Sequence, residues 1–319
     1  MKILGISGGF KNGNNDAMCR EALMGAREMG AEVEFIHLLD LDLKPCSGCL
    51  ACVAGPQGIM RGGRGTCTQK DDFPWIDEKY LEADGLLFSM PIYEKGTPGV
   101  FEVLRDRMAG PAHDTGLLVV AREIAAKGGS VGPDPRHFKK RLVSFIGIGG
   151  SEWATHMAAD FSLFAMSAPM QIIDNEVFQW SKCIVAEDNK IARCREIGRS
   201  LAKACADPDN ARYLGEPGIC AHCHSRLMYL NDDATKAECA VCGIVGEIAV
   251  VDGKIKYRFP PEQLQHAHDT MAGKAIHMED VRNNEINYNA LKQTEQFKQR
   301  QAAYKAFIEA STPPSRQRA

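Results

Sequence analysis

Lys2-Ile3-Leu4-Gly5-Ile6-Ser7 runs straight into Gly8-Gly9-Phe10-Lys11-Asn12-Gly13-Asn14-Asn15-Asp16, after which Met18, Ala22, Ala26 and Met29 recur at helical spacing up to Gly30. An apolar run, a loop of glycine, serine and asparagine, and an amphipathic helix make a strand, a turn and a helix N-terminus. Unpaired N–H groups and the helix dipole converge at such a turn, so it is a ready site for a phosphate monoester. A competing reading makes Asn14 and Asn15 simple helix caps. Gly8-x4-Gly13 has the spacing of a nucleoside triphosphate loop, but Asn14 and Asn15 stand where Lys and Ser or Thr are required. The GxGxxG dinucleotide pattern is absent as well.

Outward from this turn, strand-like runs recur at Glu32 to His37, Gly85 to Met90, Leu142 to Ile148 and Met170 to Ile173. Helical patterns lie between them, at Val100 to Met108, Thr155 to Ala165 and Asp188 to Ala206. Five strands alternating with helices predict an α/β fold with a doubly wound, five-stranded parallel sheet over residues 1–210. Asp207-Pro208-Asp209-Asn210 and Gly215-Glu216-Pro217-Gly218 read as a linker. A small module over 211–260 follows, with a hairpin of Ile248 to Val251 and Lys254 to Phe259 around Asp252-Gly253. A helical extension over 261–310 carries Leu264, Ala267, Met271, Ala275 and Met278 as an apolar stripe, a docking face for the rest of the chain or a second subunit. Residues 311–319 are expected to be a disordered tail. The stretch 109–140 fits no regular element and reads as a lid or binding loop, in which His113, Asp114, Arg136 and His137 meet a substrate or the nicotinamide cofactor, or are simply solvated.

Of twelve cysteines, eight fall into two groups. Cys46, Cys49 and Cys52 at x2 spacing, followed by Cys67, have the pattern that wraps a four-iron four-sulfur cluster, each thiolate reaching a different corner of the cube. Free or redox-active thiols are the alternative. Cys220-x2-Cys223-x15-Cys239-x2-Cys242 places four sulfurs tetrahedrally, a zinc ribbon by default, with iron possible on the same ligands. His222 and His224 read as surface residues beside the knuckle. Cys19, Cys183, Cys194 and Cys205 stand singly and read as small buried hydrophobes.

Four motifs in order carry a resemblance: Ile6-Ser7-Gly8 through Lys11-Asn12-Gly13-Asn14; Pro45-Cys46-Ser47-Gly48-Cys49-Leu50-Ala51-Cys52; Lys70-Asp71-Asp72-Phe73; and Met90-Pro91-Ile92-Tyr93 followed by Gly99 to Arg107. Together they resemble the NADPH-dependent FMN reductase and iron-sulfur flavoprotein family over roughly the first 200 residues. The resemblance implies a flavodoxin-like fold with FMN at the C-terminal edge of the sheet. It implies that Ser7, Lys11, Gly13, Asn14 and Asn15 surround the FMN phosphate. Pro91, Ile92 and Tyr93 would edge the isoalloxazine, and Gly147 to Trp153, with Gly149 and Gly150, would form a third loop beside it. It also places the first cysteine group near the flavin. The catalytic work then belongs mainly to the flavin, with Tyr93, His113 and His137 as candidate side chains.

A net charge of −3 and a pI near 6.3 offer no field to attract nucleic acid. No apolar run of about 18 residues occurs to span a membrane, and paired CxxC units fit metals in a reducing cytoplasm. The expectation is a cytoplasmic FMN-dependent oxidoreductase taking electrons from NAD(P)H, or from an iron-sulfur partner such as a ferredoxin-type protein, to a quinone-like or other small acceptor. Its rivals are an electron-transfer carrier, a substrate-specific reductase or dehydrogenase whose pocket is the 109–140 insertion, and a redox-sensing binding module. A homodimer or homotetramer is expected from the resemblance.

Overall fold

Apolar runs too short for helices and flanked by amphipathic stretches become the central sheet of the computed structural model, which describes residues 1–168 and 170–311. In chain order the elements are β1 (Lys2–Ser7), α1 (Asn14–Glu28), β2 (Glu32–His37), α2 (Ala51–Ala54), α3 (Phe73–Glu82), β3 (Gly85–Pro91), α4 (Gly99–Met108), α5 (Thr115–Gly128), β4 (Arg141–Ile148), α6 (Met157–Ser167), β5 (Met170–Phe178) and α7 (Asp188–Ala206). Then come β6 (Met228–Leu230), β7 (Lys236–Cys239), β8 (Val245–Val251), β9 (Lys254–Arg258), α8 (Pro261–Leu264), α9 (Met271–Leu291) and α10 (Glu295–Phe307). The first five strands pair in parallel in the order β2-β1-β3-β4-β5, the flavodoxin-like order, with its crossover reversal between β1 and β3. The last four form an antiparallel sheet in which Asp252 and Gly253, both with positive φ, make the tight turn of the expected hairpin. The chain divides into two compact units, Met1–Lys274 and the segment from Ala275 on. Of the tail expected over 311–319, residues 312–319 lie outside the described residues.

Helices cover both faces of the parallel sheet, so its strands are apolar almost throughout. On one face Phe88, Phe101, Phe145, Phe161 and Phe164 interlock, with Phe145 and Phe161 stacked at 4.8 Å. On the other, α1 and α7 approach so closely that a Cβ on Gly198 would lie 1.7 Å from the Ala22 carbonyl oxygen, and one on Gly25 2.1 Å from that of Arg195. The wholly buried Arg141 donates to the carbonyls of Tyr80 and Leu81, both at 3.0 Å, satisfying the C-terminal end of α3.

The 109–140 stretch is not irregular. Asp114 caps α5 through its carboxylate, accepting from Leu117 N at 3.1 Å, and Gly129 ends the helix in the left-handed region. The same carboxylate accepts from the buried Lys274 at the start of α9, at 2.5 Å. Leu118 and Ala121 of α5 bury against Ile59, so the insertion braces the first cysteine loop.

Backbone contact at Gly198 leaves no room for a side chain. Gly198→Ala is expected to cost about 1–3 kcal/mol, as overpacking does, read as a lower urea midpoint. An unchanged midpoint would refute the close α1–α7 contact.

Candidate active site

The phosphate turn closes on itself through Gly13 N donating to Phe10 O at 2.8 Å and Gly8 N to Ser89 O at 3.1 Å. Asn12 takes a positive φ, an allowed conformation for asparagine. Helix α1 begins at Asn14 with Gly13 as its cap residue and no side-chain cap. Asn14 instead donates to Lys182 O at 2.9 Å, and Asn15 to Ser89 Oγ at 3.3 Å. The capping reading of these asparagines therefore fails, and the opening turn of α1 keeps its donors for an anion. Asp16, the one acid in that turn, faces inward: its carboxylate accepts from Asn12 N at 2.8 Å and pairs with His37 Nδ1 at 3.0 Å. Burial opposes its charge, yet the Ser7 hydroxyl, Asn12 N–H and His37 together hold its carboxyl below the usual range. Lys11 lies on the turn, paired with Asp40 at 2.7 Å. Uncapped donors above a sequestered carboxylate fit the phosphate of FMN.

Adjacent strands β1, β3, β4 and β5 bring three further loops to the same sheet edge. Pro91 ends β3, and Ile92 N donates to Ile148 O at 3.1 Å. Tyr93 and Gly96 exchange backbone bonds around Glu94 and Lys95, both at positive φ. Two side chains in the left-handed region make a strained hairpin, and strain of this kind gathers at ligand-binding sites. Gly147 lies within β4 against Met157, so the following loop begins at Gly149, where a Cβ would meet Ile92 at 2.8 Å; one on Gly150 would meet open space. Lys95 sits over the Trp153 ring at 4.1 Å. Ser181 N donates to Gly149 O at 2.8 Å, bringing in the segment after β5 with Trp180, which the sequence reading missed. Phe10, Tyr93, Trp153 and Trp180 are all exposed, an aromatic rim suited to a flat ring system.

Cys46, Cys52 and Cys67 line one cavity of about 260 Å³ with Asp77, Arg107, His113 and His137. Arg107 holds the loop that carries them. It donates to Asp71 at 2.5 Å, to Lys44 O at 2.9 Å and to Cys67 Sγ at 3.4 Å, with its guanidinium 4.2 Å from the Phe73 ring centroid. The N–H of Ala51, with Ser47 and Thr68, holds the exposed Cys49 thiol below its usual range, while burial and then the neighbouring Cys67 raise that of Cys52. These four sulfurs do not form the tight group of a single-ion site. Thiols are the donors an iron-sulfur cluster takes, and the Ala51 amide and Arg107 would suit the negative charge of one.

Among the described residues, one tight cluster of potential metal ligands occurs: Cys220, Cys223, Cys239 and Cys242, with all sulfurs within 4.8 Å of one another. Cys220 and Cys242 sulfurs are 3.5 Å apart, and those of Cys223 and Cys239 3.4 Å. Four thiolates at ~2.3 Å from one ion would stand about 3.8 Å apart, so the set fits a mononuclear metal. His222 and Cys223 N–H groups point at Cys220 Sγ, at 3.4 and 3.5 Å. His222 pairs with Asp269 at 2.7 Å and His224 stacks on Tyr213 at 4.1 Å, so both have partners away from the four sulfurs.

His113 and His137 are not solvated loop residues; both are buried, their ring centroids 4.9 Å apart, and His113 Nε2 pairs with Asp77 at 2.8 Å. They sit beside the first cysteine group, whereas Tyr93 lies on the aromatic rim. Asp114 and Arg136 are likewise engaged, by Lys274 and by Glu78 with Asp134. Of the single cysteines, Cys19 and Cys194 are buried and Cys205 is half-buried, and burial raises their thiols, to about 12 for the latter two. Cys183 is exposed, contrary to expectation.

A flavodoxin-like sheet with an uncapped phosphate turn and an aromatic rim at its C-terminal edge defines a flavin-binding protein. The chain belongs to the NADPH-dependent FMN reductase family, whose sequence profile matches residues 1–182, and it is a flavin-dependent oxidoreductase with FMN as its cofactor. A solved structure described as a flavone reductase is 46% identical, covering 98% of this chain and 100% of that one, with a TM-score of 0.86. Flavone synthase cfoJ of Aspergillus candidus is 27% identical over 292 residues, 88% of each chain. An iron-sulfur flavoprotein of Methanocaldococcus jannaschii is 39% identical over 108 residues, 34% of this chain and 51% of that protein.

Burial, then the nearby His113, lowers the pKa of His137 from 6.5 to about 4. The unfolded chain therefore binds the extra proton between those values, so stability is full above pH 6.5 and falls as the pH drops toward 4. The loss reaches about 3 kcal/mol at pH 4. In urea titrations His137→Phe should flatten the pH dependence by that amount relative to the wild type; parallel curves would show that His137 titrates normally.

Proposed function

We propose that the chain reduces the carbon–carbon double bond conjugated to the carbonyl of a flavone-type polyphenol, with NAD(P)H as electron donor. The observation that carries this reading is the 46% identity to a flavone reductase along essentially the whole of both chains, ribbon and C-terminal helices included. Similarity to a flavone synthase over 88% of both chains points to the same scaffold. The chemistry that bound FMN supplies is the transfer of two electrons and a proton, as hydride, between NAD(P)H and the acceptor's electron-poor carbon. The chain's residues do the rest. The opening turn of α1, with Ser7, Lys11, Gly13, Asn14 and Asn15, receives the phosphate, and Pro91, Ile92, Gly149 and Gly150 edge the ring. Trp153 and Trp180 offer flat apolar faces to a polyphenol. Tyr93 Oη is the group we assign to deliver the second proton, to the carbon beside the carbonyl. Tyr93 stands at the base of the Glu94–Lys95 turn, on the same sheet edge as the phosphate turn.

Under the same reading Cys46, Cys49, Cys52 and Cys67 would hold a four-iron cluster, a one-electron carrier fed by a ferredoxin-type donor. Similarity to iron-sulfur flavoproteins supports it. Cys220, Cys223, Cys239 and Cys242 would hold zinc as a folding staple, since so small a sheet buries too little apolar surface to stand alone. Elemental analysis of anaerobically purified protein should give one zinc and four irons per chain, with a broad iron-sulfide absorption. Iron without zinc would reassign the ribbon, and absence of iron would return the first group to free thiols.

The deciding experiment incubates the FMN-loaded protein anaerobically with NADH or NADPH and a flavone, reading product by mass. A gain of two mass units, abolished without nicotinamide, supports the proposal. Quinone reduction with no change in the flavone would overturn it. Tyr93→Phe is expected to lower kcat about tenfold or more, within the range for loss of a proton donor, while FMN absorbance is retained.

A further inference from the structure

The linker that follows α7 runs beside β5, the outer strand of the parallel sheet. Two bonds anchor it there: Leu214 N donates to Ile173 O at 2.7 Å, and Gln171 Nε2 donates to Ala211 O at 2.7 Å. Between these anchors Tyr213 lies flat on His224 of the ribbon, with ring centroids 4.1 Å apart and planes 15° from parallel. A cavity of about 620 Å³ opens beside this stacked pair. Its apolar side is formed by Met166 and Met170, both buried, with Ile172. Lys140 directly precedes β4 and Met170 opens β5, so the cavity lies toward the N-terminal ends of these strands. The phosphate turn and aromatic rim are at the opposite ends of the sheet.

The polar side of the cavity is cationic. Lys140 and Arg212 line it, and Asp269, its one carboxylate among the described residues, is taken by His222 at 2.7 Å. Lys140 donates to Pro208 O and has two further N–H groups. The Arg212 guanidinium has no hydrogen bond, ion pair or ring contact with any described residue. In a chain of net charge −3 this is a local excess of positive charge over an apolar floor. The volume falls within the roughly 300–1,000 Å³ of small-molecule sites. Thioethers and a stacked aromatic pair suit the face and edge of an aromatic ring. A guanidinium beside an ammonium suits a carboxylate, which arginine grips through two parallel N–H bonds. We propose that this cavity is a second small-molecule site, taking an aromatic carboxylate. The inference goes beyond the flavone reading and depends neither on it nor on which metal the ribbon holds.

NMR of the FMN-loaded full chain, isotopically labelled in its methionine methyl groups, tests it with cinnamate as the probe. The Met166 and Met170 resonances, identified by their loss in Met166→Leu and Met170→Leu, should shift on titration with cinnamate to millimolar concentration, with flavin absorbance unchanged. Cinnamamide carries the same ring without the charge and should bind about tenfold more weakly or worse. Arg212→Glu, at an exposed position with no partner to lose, should weaken cinnamate about tenfold or more, and Arg212→Lys should weaken it less. Shifts confined to other methionines, with a changed flavin spectrum, would place the acid at the aromatic rim. An absence of shifts at millimolar cinnamate would deny the cavity this class of ligand. Equal binding of the amide, or undiminished binding by Arg212→Glu, would show that the carboxylate is not recognised. Each of these results overturns the proposal.

Discussion

The ion pair of Arg107 with Asp71 is the constraint on which the site region depends. Both side chains are almost wholly withdrawn from water, at 3% and 0% exposure. A buried pair is tolerated only when its remaining hydrogen-bonding capacity is used. Here Lys44 N and Phe73 N donate to Asp71, and Lys44 O and Cys67 Sγ accept from Arg107. One guanidinium on α4 thus gathers both ends of the loop that carries four cysteines, beside the start of α3. Loss of either partner would leave a buried charge alone and free the loop at both ends.

Around this clamp the fold separates two chemistries. Uncapped donors at α1 and the aromatic rim lie at the C-terminal ends of β1, β3, β4 and β5, where open α/β sheets bind ligands. Cys46, Cys52 and Cys67 and the pair His113 and His137 share a different cavity, walled by α3 and the 109–140 insertion. The insertion therefore shapes the surroundings of the cysteines, whereas the aromatic rim is built from the loops after the strands.

Periodicity made the parallel sheet legible, because strands covered on both faces are continuous apolar runs bounded by glycine and polar residues. Helix α3 was hidden by its opening Phe73-Pro74-Trp75, though proline in a first turn is itself a start signal. Helix α5 was overlooked because the glycine and proline run after it dominated the reading, yet Asp114 and Gly129 are a cap and a stop at the right separation. The Cys220 group could be read from spacing alone, since both knuckles are local. Burial of His113 and His137 could not be, for it rests on Asp77, Tyr80 and Arg141, brought in from distant elements. Trp180 was missed for a similar reason: its place on the rim comes from the backbone bond of its neighbour Ser181 to Gly149, in the loop after β4.

Asp114 answers to two helices at once, holding the first turn of α5 with one oxygen and Lys274 with the other. Asp114 and Lys274 are separated by 160 residues of chain. During synthesis the insertion emerges 160 residues before its cation does, so for about half of translation the carboxylate caps α5 without its ion-pair partner. Nucleation of the sheet can proceed from the N-terminus as the ribosome delivers it, but the brace behind the cysteine loop locks only once the ribbon has been made and the chain has come back across it.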